Sequence, residues 1–470
     1  MKKIAIIGGG AAGSVAAWAL HKNHDVTLFE AESYLGGHAY THVIANEGKQ
    51  VSIDMGVEYF HERLSPNLSA ILEHFNIGSY IAPLSFKAFN QNNPNLIYWS
   101  NCQLGGDLGN SLHDEMNRFQ LDMINIMQKD NPALKGMSVQ QFLDQENYSE
   151  NFRLQALLPL MTTFSGCKAS SLDYSLMYFA LSFNMNLLSF FTASHWRKVD
   201  GGIHAYLKQI HHYLNDRVKT NCRVSSVEKT KDGIVVTLED KSTYHFDEII
   251  FACQAYIAKD LIKNITHEQL ACLSAFEYVD VQSTLHTDIA AVSCQPLSHE
   301  YCQFGLTSEP TRSFVGTLTR VNNNLHPYQK LDPTLFVSFD NRESIDASKI
   351  IAEKNWKLPK LRPIDMAHKR KIANIQGKGS FWFCGTDYSL TGHEGALVSG
   401  LVIADHLGAA CPFKVNWLAR AQFDVIKSFM GIYTAKEKIT EKLVEIIFKT
   451  AKFLNLHRRL SSRFVKDLIF

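Results

Sequence analysis

The residues best suited to chemistry form a glycine-rich loop near the start of the chain. Gly8, Gly10 and Gly13 follow a short apolar run, and Glu30 comes 17 residues after the last of them. Gly8 permits a tight turn, Gly10 lets the backbone approach a pyrophosphate, and Gly13 allows close packing of a helix on a strand. Ala12 lies where that helix begins, and unpaired N–H groups there attract phosphate oxygens. The spacing predicts a dinucleotide site whose ribose hydroxyls bind Glu30.

The elements around this loop are those of half a mononucleotide-binding fold. Lys3–Ile7 predicts a strand, Ala11–His21 a helix and Asp25–Phe29 a second strand. Short glycine patterns arise by chance in many chains, so a strand-to-helix turn without a ligand is the alternative. The coincidence of strand, loop, helix and acid favours the dinucleotide site.

A glycine pair after Glu30 extends the pattern. Gly36 and Gly37 are followed by His38, and the whole run from Lys3 to Tyr40 resembles the fingerprint of the amine oxidase and phytoene desaturase superfamily of flavoproteins. The resemblance implies FAD rather than NAD, with Gly37 and His38 at the cofactor. The family usually has Arg after the glycine pair, and a histidine lacks the guanidinium fork for a phosphate.

Three more segments resemble the same superfamily. The segments are Asp54-Met55-Gly56, the stretch around Val224, and Gly385-Thr386-Asp387 followed by Gly392-His393-Glu394-Gly395-Ala396. The resemblance implies that Met55 and Gly56 pass near the flavin ring and that Val224 makes a backbone contact with adenine. It also implies that Gly385 and Asp387 bind the ribityl or pyrophosphate region. A helix starting beside Glu394 and Ala396 would face the flavin. The match is closest to a bacterial subgroup of amine oxidase-like, NAD/FAD-binding flavoproteins and covers about residues 1–408.

These matches imply an α/β fold with a Rossmann-type FAD-binding domain, like that of glutathione reductase, and an inserted α+β substrate domain. We assign 1–60, 196–260 and 375–410 to the FAD-binding domain and 61–195 and 261–374 to the substrate domain. A helical extension, 411–470, completes the chain. Within the first insertion, helical patterns cover Pro66–Phe75, Asp114–Met127 and Val139–Glu146.

The reaction is less narrowly defined than the cofactor. Amine oxidases of this superfamily commonly carry a lysine on a substrate-domain strand, yet Glu277–Asp288 contains none, and Gly392 replaces an expected aromatic residue. Apolar stretches such as Leu176–Phe179 and Phe190-Phe191 are typical of a core or of a pocket for a lipid- or isoprenoid-like substrate. We therefore expect an FAD-dependent oxidoreductase that desaturates or isomerises a hydrophobic substrate by hydride transfer to flavin N5. A flavin amine oxidase using oxygen and a redox-neutral FAD protein are the alternatives.

His393 is the candidate catalytic residue. Its position at the flavin-proximal helix start would allow proton transfer near neutral pH, and a capping or packing role is the alternative. Glu394 is expected to bond flavin or backbone rather than act as a base. His286 and Asp288 fall on one face of a predicted strand and are a weaker candidate pair.

Composition excludes several classes of function. The formal net charge of +1 gives no chain-wide attraction to nucleic acid, and the nine cysteines are scattered without a C-x-x-C pair. We expect reduced thiols, no metal site and a cytoplasmic protein. The apolar run Ile4–Ile7 is too short for a signal peptide, and no window of about 18 apolar residues predicts a membrane span.

The C-terminal extension departs from this balance. Residues 411–470 contain 12 Lys or Arg against 5 Asp or Glu, and apolar residues recur between Ile439 and Leu454 at helical spacing. This pattern predicts a basic amphipathic helix. It would contact the inner face of an anionic membrane, pack on the enzyme body, or form a homodimer interface.

Overall fold

The computed structural model describes residues 1–46, 48–82, 84–100, 107–128, 132–165, 171–180, 196–292, 300–306, 316–325, 331–390 and 392–433. Phe190, Phe191 and the predicted amphipathic helix after residue 433 lie outside this part of the chain. The strands are β1 Lys3–Ile7, β2 Asp25–Phe29, β3 Thr41–Asn46, β4 Lys49–Asp54, β5 Ser79–Ile81, β6 Phe86–Asn90, β7 Asn93–Ser100, β8 Arg197–Val199, β9 Val218–Lys219, β10 Val224–Thr230, β11 Gly233–Leu238, β12 Thr243–Phe246, β13 Glu248–Phe251, β14 Tyr278–His286, β15 Cys302–Leu306, β16 Gly316–Val321, β17 Phe336–Phe339, β18 Ile350–Pro359 and β19 Phe381–Phe383.

The helices lie between and beyond these strands. Pro66–His74 and Val139–Gln145 match the predicted helices within one residue, whereas Asp107–Gln128 begins seven residues earlier than predicted because Gly109 and Asn110 mask its pattern. The helices are Ala11–Leu20, Pro66–His74, Asp107–Gln128, Val139–Gln145, Phe152–Leu157 (a π-helix), Leu158–Ser165, Ala205–Leu214, Ala255–Leu261, His267–Leu273, Pro363–Lys371, His393–His406 and Trp417–Phe429.

A five-stranded parallel sheet forms the dinucleotide-binding part of the fold. Its strands lie in the order β19-β13-β1-β2-β9. Ile4, Ala5 and Ile6 in the central strand are fully buried, as expected where helices or other layers cover both faces of a parallel sheet. The α/β, Rossmann-type prediction is confirmed.

A second, mixed sheet has seven strands in the order β18-β14-β17-β16-β15-β6-β7, of which only β6 and β15 pair in parallel. All of its strands come from the two segments predicted to form the substrate domain, although the exact domain boundaries stay a prediction. Its core includes the helices of the first insertion, with Phe119 and Phe152 fully buried. The fold therefore joins a cofactor-binding sheet to a separate, largely antiparallel sheet.

Helices Ala11–Leu20 and His393–His406 pack against each other over the parallel sheet. A Cβ at Gly400 would overlap Ala12 O, so the missing side chain allows this close approach. The start of the first helix thus lies against the middle of the second, and residues from both helix starts line one cavity although they lie at opposite ends of the sequence.

Within the extension, the described part contains the helix Trp417–Phe429, which packs on helix His393–His406. Lys427 Nζ lies 3.1 Å from Asp405 Oδ2 across this contact. Among the described residues, we find no helix with the length and apolar character needed to cross a membrane.

Candidate active site

A cavity of about 1170 Å³ lies where the parallel strands end, walled on its other side by the seven-stranded sheet. Such crevices at the carboxyl ends of strands are the usual ligand sites of open α/β folds. It brings together most of the residues predicted to bind the cofactor or act on the substrate: Gly8, Gly10, Ala12, Glu30, Gly37, His38, Gly56, Val224, Gly385, Asp387, His393, Glu394 and Ala396.

The glycine loop has the geometry that its spacing predicts. Gly8 adopts φ +104°, and a Cβ there would lie 2.7 Å from Ala252 O. A Cβ at Gly13 would overlap Gly8 O, so this glycine keeps helix and strand in contact and does not line the cavity. A Cβ at Gly10 would have only Gly36 O as a neighbour, 4.0 Å away. The space beside Gly10 is therefore open for a ligand.

Glu30 lies at the cavity wall after β2. Its carboxylate accepts hydrogen bonds from Gly9 N at 2.6 Å and Glu32 N at 2.8 Å. Burial raises the pKa of Glu30 even though these N–H donors favour the charged form. The backbone thus orients the acid that the sequence assigns to the ribose.

Met55 is an exception among the predicted residues. Its side chain is fully buried in the core beside the seven-stranded sheet and does not line the cavity. The prediction of a cofactor contact at Met55 is therefore corrected for its side chain, which packs in the core rather than at the cavity. Gly56, one residue later, does reach the cavity wall.

Asp387 lies at the opposite wall, after β19. Its Oδ2 accepts from Ala255 N at 2.8 Å and from the Tyr278 hydroxyl at 2.5 Å. Its Oδ1 is buried without a hydrogen-bond partner in the described part of the chain. A buried carboxylate oxygen of this kind requires a donor, and a ribityl or ribose hydroxyl fits that requirement.

His393 begins the helix whose start faces the cavity. Its Nε2 lies 3.0 Å from the hydroxyl of Tyr206, a fully buried residue that the sequence analysis missed. Burial, assisted by the neighbouring His38, lowers the pKa of His393 to about 4. The ring is therefore neutral at pH 7, and its role in proton transfer stays a prediction.

Glu394 bonds the backbone of a neighbouring helix. Its carboxylate accepts from Asn67 N at 2.8 Å, Asn67 Nδ2 at 2.9 Å and Leu68 N at 3.0 Å. These donors belong to the first turn of helix Pro66–His74, where backbone N–H groups lack partners within the helix. Burial raises the pKa of Glu394 to about 7. Because these donors already bond both carboxylate oxygens of Glu394, the carboxylate has little remaining capacity to accept a hydrogen bond from a cofactor.

His38 packs against Trp356, with ring centroids 5.4 Å apart. Burial lowers the pKa of His38, so it offers a neutral ring at the position where the family usually has Arg. A cation does line the same cavity: Lys354 on β18. Its Nζ lies 4.9 Å and 4.5 Å from the ring centroids of Tyr34 and Tyr40. Sequence reasoning missed this lysine because it lies far from the fingerprint along the chain.

A buried charge cluster at the cavity was also missed. The Glu58 carboxylate contacts Lys198 Nζ, the Tyr301 hydroxyl and Arg320 Nη1, the last at 3.0 Å from Oε2. Burial would raise the pKa of Glu58, but Lys198 and Arg320 lower it below its ordinary value. The one sequence feature that could have indicated this cluster is Glu58 itself, an acid two residues after Gly56 in a segment already assigned to the cofactor site.

His286 and Asp288 do not form a catalytic pair. Strand β14 ends at His286, whose Nε2 lies 2.9 Å from Ser338 Oγ and whose ring stacks on Phe336. Asp288 turns away to accept from Lys349 Nζ at 2.8 Å. Neither residue lines the cavity, so the shared-face prediction is wrong for the residue beyond the strand end.

Comparison with known proteins identifies the family and the fold. A model of the flavin containing amine oxidoreductases matches residues 11–284, more than half of the chain. The chain belongs to the flavin-containing amine oxidoreductase family. No curated protein matches it significantly.

Solved structures extend the likeness of this flavin-containing amine oxidoreductase to almost the whole fold. A fatty acid isomerase from P. acnes that produces CLA has a TM-score of 0.66 at 14% identity over 87% of this chain and 99% of that one. Putrescine oxidase bound to putrescine has a TM-score of 0.62 at 16% identity over 86% and 98%. Cyclohexylamine oxidase from Brevibacterium oxydans has a TM-score of 0.63 at 15% identity over 86% and 99%. At these identities the likeness establishes the fold alone.

FAD is the cofactor of this family, and the cavity fits it. The open space beside Gly10, the N-terminus of helix Ala11–Leu20 and, in the described part of the chain, the unpaired Asp387 Oδ1 all border this one cavity. Unpaired N–H groups at a helix start suit a pyrophosphate, and the aspartate suits a hydroxyl donor. The protein is an FAD-dependent oxidoreductase.

Proposed function

We propose that this enzyme desaturates or isomerises a hydrophobic, lipid- or isoprenoid-like substrate. The observation that carries the proposal is the apolar and aromatic wall that continues the cofactor cavity. Its residues are Leu84, Met161, Tyr174, Tyr178, Phe179, Trp196 and Leu361. A cavity of about 1170 Å³ exceeds the usual range of about 300–1,000 Å³ for a single small ligand. It has room for a cofactor together with an apolar chain.

Two observations disfavour an amine. Glu58 lines the cavity, but Lys198 and Arg320 already pair with it, so its carboxylate is a poor partner for a substrate ammonium. Arg320 itself lines the cavity and would repel an ammonium close to it. Independently, Glu277–Asp288 lacks the lysine that amine oxidases of this superfamily commonly carry.

The chain's own residues would hold and shield the substrate. Bound FAD supplies a two-electron acceptor for a hydride, which is the demanding part of either reaction. The aromatic wall would orient the chain and exclude water from the reacting C–H bond. His393, neutral and bonded to Tyr206, would accept or relay a proton on the same side of the cavity.

Anaerobic titration of the FAD-loaded enzyme tests the proposal. Unsaturated fatty acyl compounds and polyenes are expected to perturb or bleach the visible flavin spectrum, whereas simple primary amines leave it unchanged. The measurement is the flavin absorption spectrum against ligand concentration, with product analysis by mass spectrometry for a redox-neutral isomerisation. Bleaching by amines alone would establish an amine oxidase instead. A spectrum and product pool unchanged by either panel would point to a redox-neutral or structural use of FAD.

We also propose that the basic extension brings the enzyme to an anionic membrane surface, where a lipid substrate is available. The support is the charge excess of residues 411–470 and its apolar helical spacing. Each Lys or Arg near such a surface adds about 1 kcal/mol of attraction. Because Trp417–Phe429 packs on the enzyme body, residues 434–470 are the part of the extension that we propose for the membrane contact.

Vesicle flotation tests this contact. The full chain is expected to float with phosphatidylglycerol-containing vesicles at low salt and to stay in the bottom fraction with neutral vesicles. A variant lacking residues 434–470 is expected to stay in the bottom fraction with both kinds of vesicle. Raising the salt should weaken binding, because screening reduces surface attraction. If both forms float equally, the extension is not the membrane contact. A full chain that stays dimeric and unbound would favour the homodimer interface.

A further inference from the structure

Arg320 has an environment that its structural role does not explain. It lies on β16 with only 10% of its side chain exposed. Its guanidinium lies 4.6 Å from the ring centroid of Phe339, and Nη1 lies 3.0 Å from Glu58 Oε2. Nη1 also lies 3.5 Å from Gly56 O, at the limit of a hydrogen bond. Stacking and ion pairing together fix the guanidinium plane.

Most of this guanidinium has no partner among the residues that the structure describes. A guanidinium has five N–H donors, yet within the described part of the chain the polar contacts of Arg320 involve Nη1 alone. The residue lines the cavity, so the remaining donors can be satisfied from inside it. Buried charged groups without partners are costly, and a ligand oxygen would remove that cost.

The groups around Arg320 indicate what kind of ligand it can take. Glu58 is paired with Arg320, and it also contacts Lys198 and the Tyr301 hydroxyl. Asp54, a further buried acid, interacts electrostatically with Lys198 and bonds Thr41 Oγ1 at 2.6 Å and Ile203 N at 3.0 Å. The two acids therefore balance Lys198 and Arg320 in charge. What Arg320 offers to the cavity is its remaining N–H donors, which favour a ligand with charged acceptor oxygens.

We infer that Arg320 binds the carboxylate of a long-chain carboxylic acid whose hydrocarbon part lies along the aromatic wall. This inference rests on the proposed function and names its substrate class. A carboxylate matches the planar fork of a guanidinium through two parallel hydrogen bonds. A phosphate monoester would bring up to two negative charges to a guanidinium that is already paired with Glu58, so a carboxylate is the better match. Glu58 acts as a positioning residue, because it holds Arg320 rather than the substrate.

Three probes of equal chain length test this inference: dodecanoic acid, methyl dodecanoate and dodecylamine. Each is titrated into the FAD-loaded protein, and binding is read from the shift of the visible flavin spectrum and from the melting temperature. The acid is expected to bind at least about tenfold more tightly than the ester, because the ester lacks the charge that strengthens the hydrogen bonds. The amine is expected to bind least tightly.

Arg320→Gln should abolish this preference. The variant is expected to bind the acid about tenfold or more weakly, with the affinity for the ester unchanged. Arg320→Lys should restore part of the preference, since the charge remains and the fork is lost. Arg420→Gln, which removes a solvent-exposed arginine paired with Asp424, serves as the control and should keep the wild-type preference.

The outcomes separate this inference from the proposed function. Equal binding of acid and ester, or tighter binding of the amine, overturns the role of Arg320, and the first of these leaves a hydrophobic substrate standing. If no probe binds, both proposals fail. Loss of FAD from purified Arg320→Gln also overturns the inference, because the guanidinium would then serve the cofactor. The ratio of acid to ester affinity within one variant is independent of how much protein folds.

Discussion

Replacing Gly10 with valine is expected to leave the protein folded and to abolish its FAD content. Gly10 has φ −68°, which any L-residue adopts, and a Cβ would have only Gly36 O within 4.0 Å. The added side chain would instead occupy the space in front of helix Ala11–Leu20, where a pyrophosphate approaches the backbone. We expect FAD affinity to fall at least about 100-fold, or roughly 3 kcal/mol.

The measurement is the ratio of bound flavin to protein after purification, with circular dichroism and thermal unfolding as checks of folding. Gly136→Val is the control, because Gly136 is exposed and a Cβ there meets nothing within 4 Å. Gly13→Ala should behave differently, since its Cβ would overlap Gly8 O and destabilise the fold itself. A Gly10→Val protein with full, tightly bound FAD would show that the pyrophosphate lies elsewhere.

Replacing His393 with glutamine is expected to lower turnover about 100-fold while FAD remains bound. This loss is typical of removing a positioned general acid or base. Tyr206→Phe removes the hydroxyl that lies 3.0 Å from His393 Nε2, and it should lower turnover by a smaller factor because the ring remains. Turnover is measured with the compound that gives the strongest response in the anaerobic titration. If His393→Gln keeps wild-type turnover, the histidine is a packing residue.

The pH dependence distinguishes these roles further. The pKa of His393 is lowered to about 4 in the folded protein, against about 6.5 when unfolded. Its contribution to the free energy of unfolding is therefore fully present above pH 6.5 and is lost as the pH falls through 4. Wild type should lose stability relative to His393→Gln over this window. An activity profile with a limb near pH 6.5 that disappears in His393→Gln would contradict the neutral, buried ring.

The cofactor site was largely predictable because its determinants are local. Glycine is required at Gly8, where the turn has φ +104°, and at Gly10, where the backbone surface must stay bare. Neither requirement depends on distant parts of the chain. The acid after the second strand has a similarly fixed place, because parallel strands deliver their carboxyl ends to one edge. The parallel sheet and the dinucleotide site followed from these short-range rules, whereas FAD rather than NAD was implied by the resemblance to the flavoprotein superfamily.

The predictions that were corrected depended on surroundings that no local pattern encodes. Met55 and Gly56 are neighbours in sequence, yet Met55 packs in a core and Gly56 lines the cavity. His286 and Asp288 are only two residues apart, but strand β14 ends between them. The pKa of His393 follows from its burial and from His38, which lies on another segment. Each outcome depends on which side chains pack around the residue.

The sequence by itself determined the dinucleotide fingerprint and the α/β fold, since these depend on glycines and an acid at fixed spacing, and its resemblance to a flavoprotein superfamily implied the cofactor. Only the tertiary structure decided which charges meet at the cavity. Glu58, Lys198 and Arg320 come from three distant segments, and their pairing arises where β8 and β16 approach the residues after β4. The energy of a buried charge depends on its partners and on its exclusion from water, and both are properties of the folded chain.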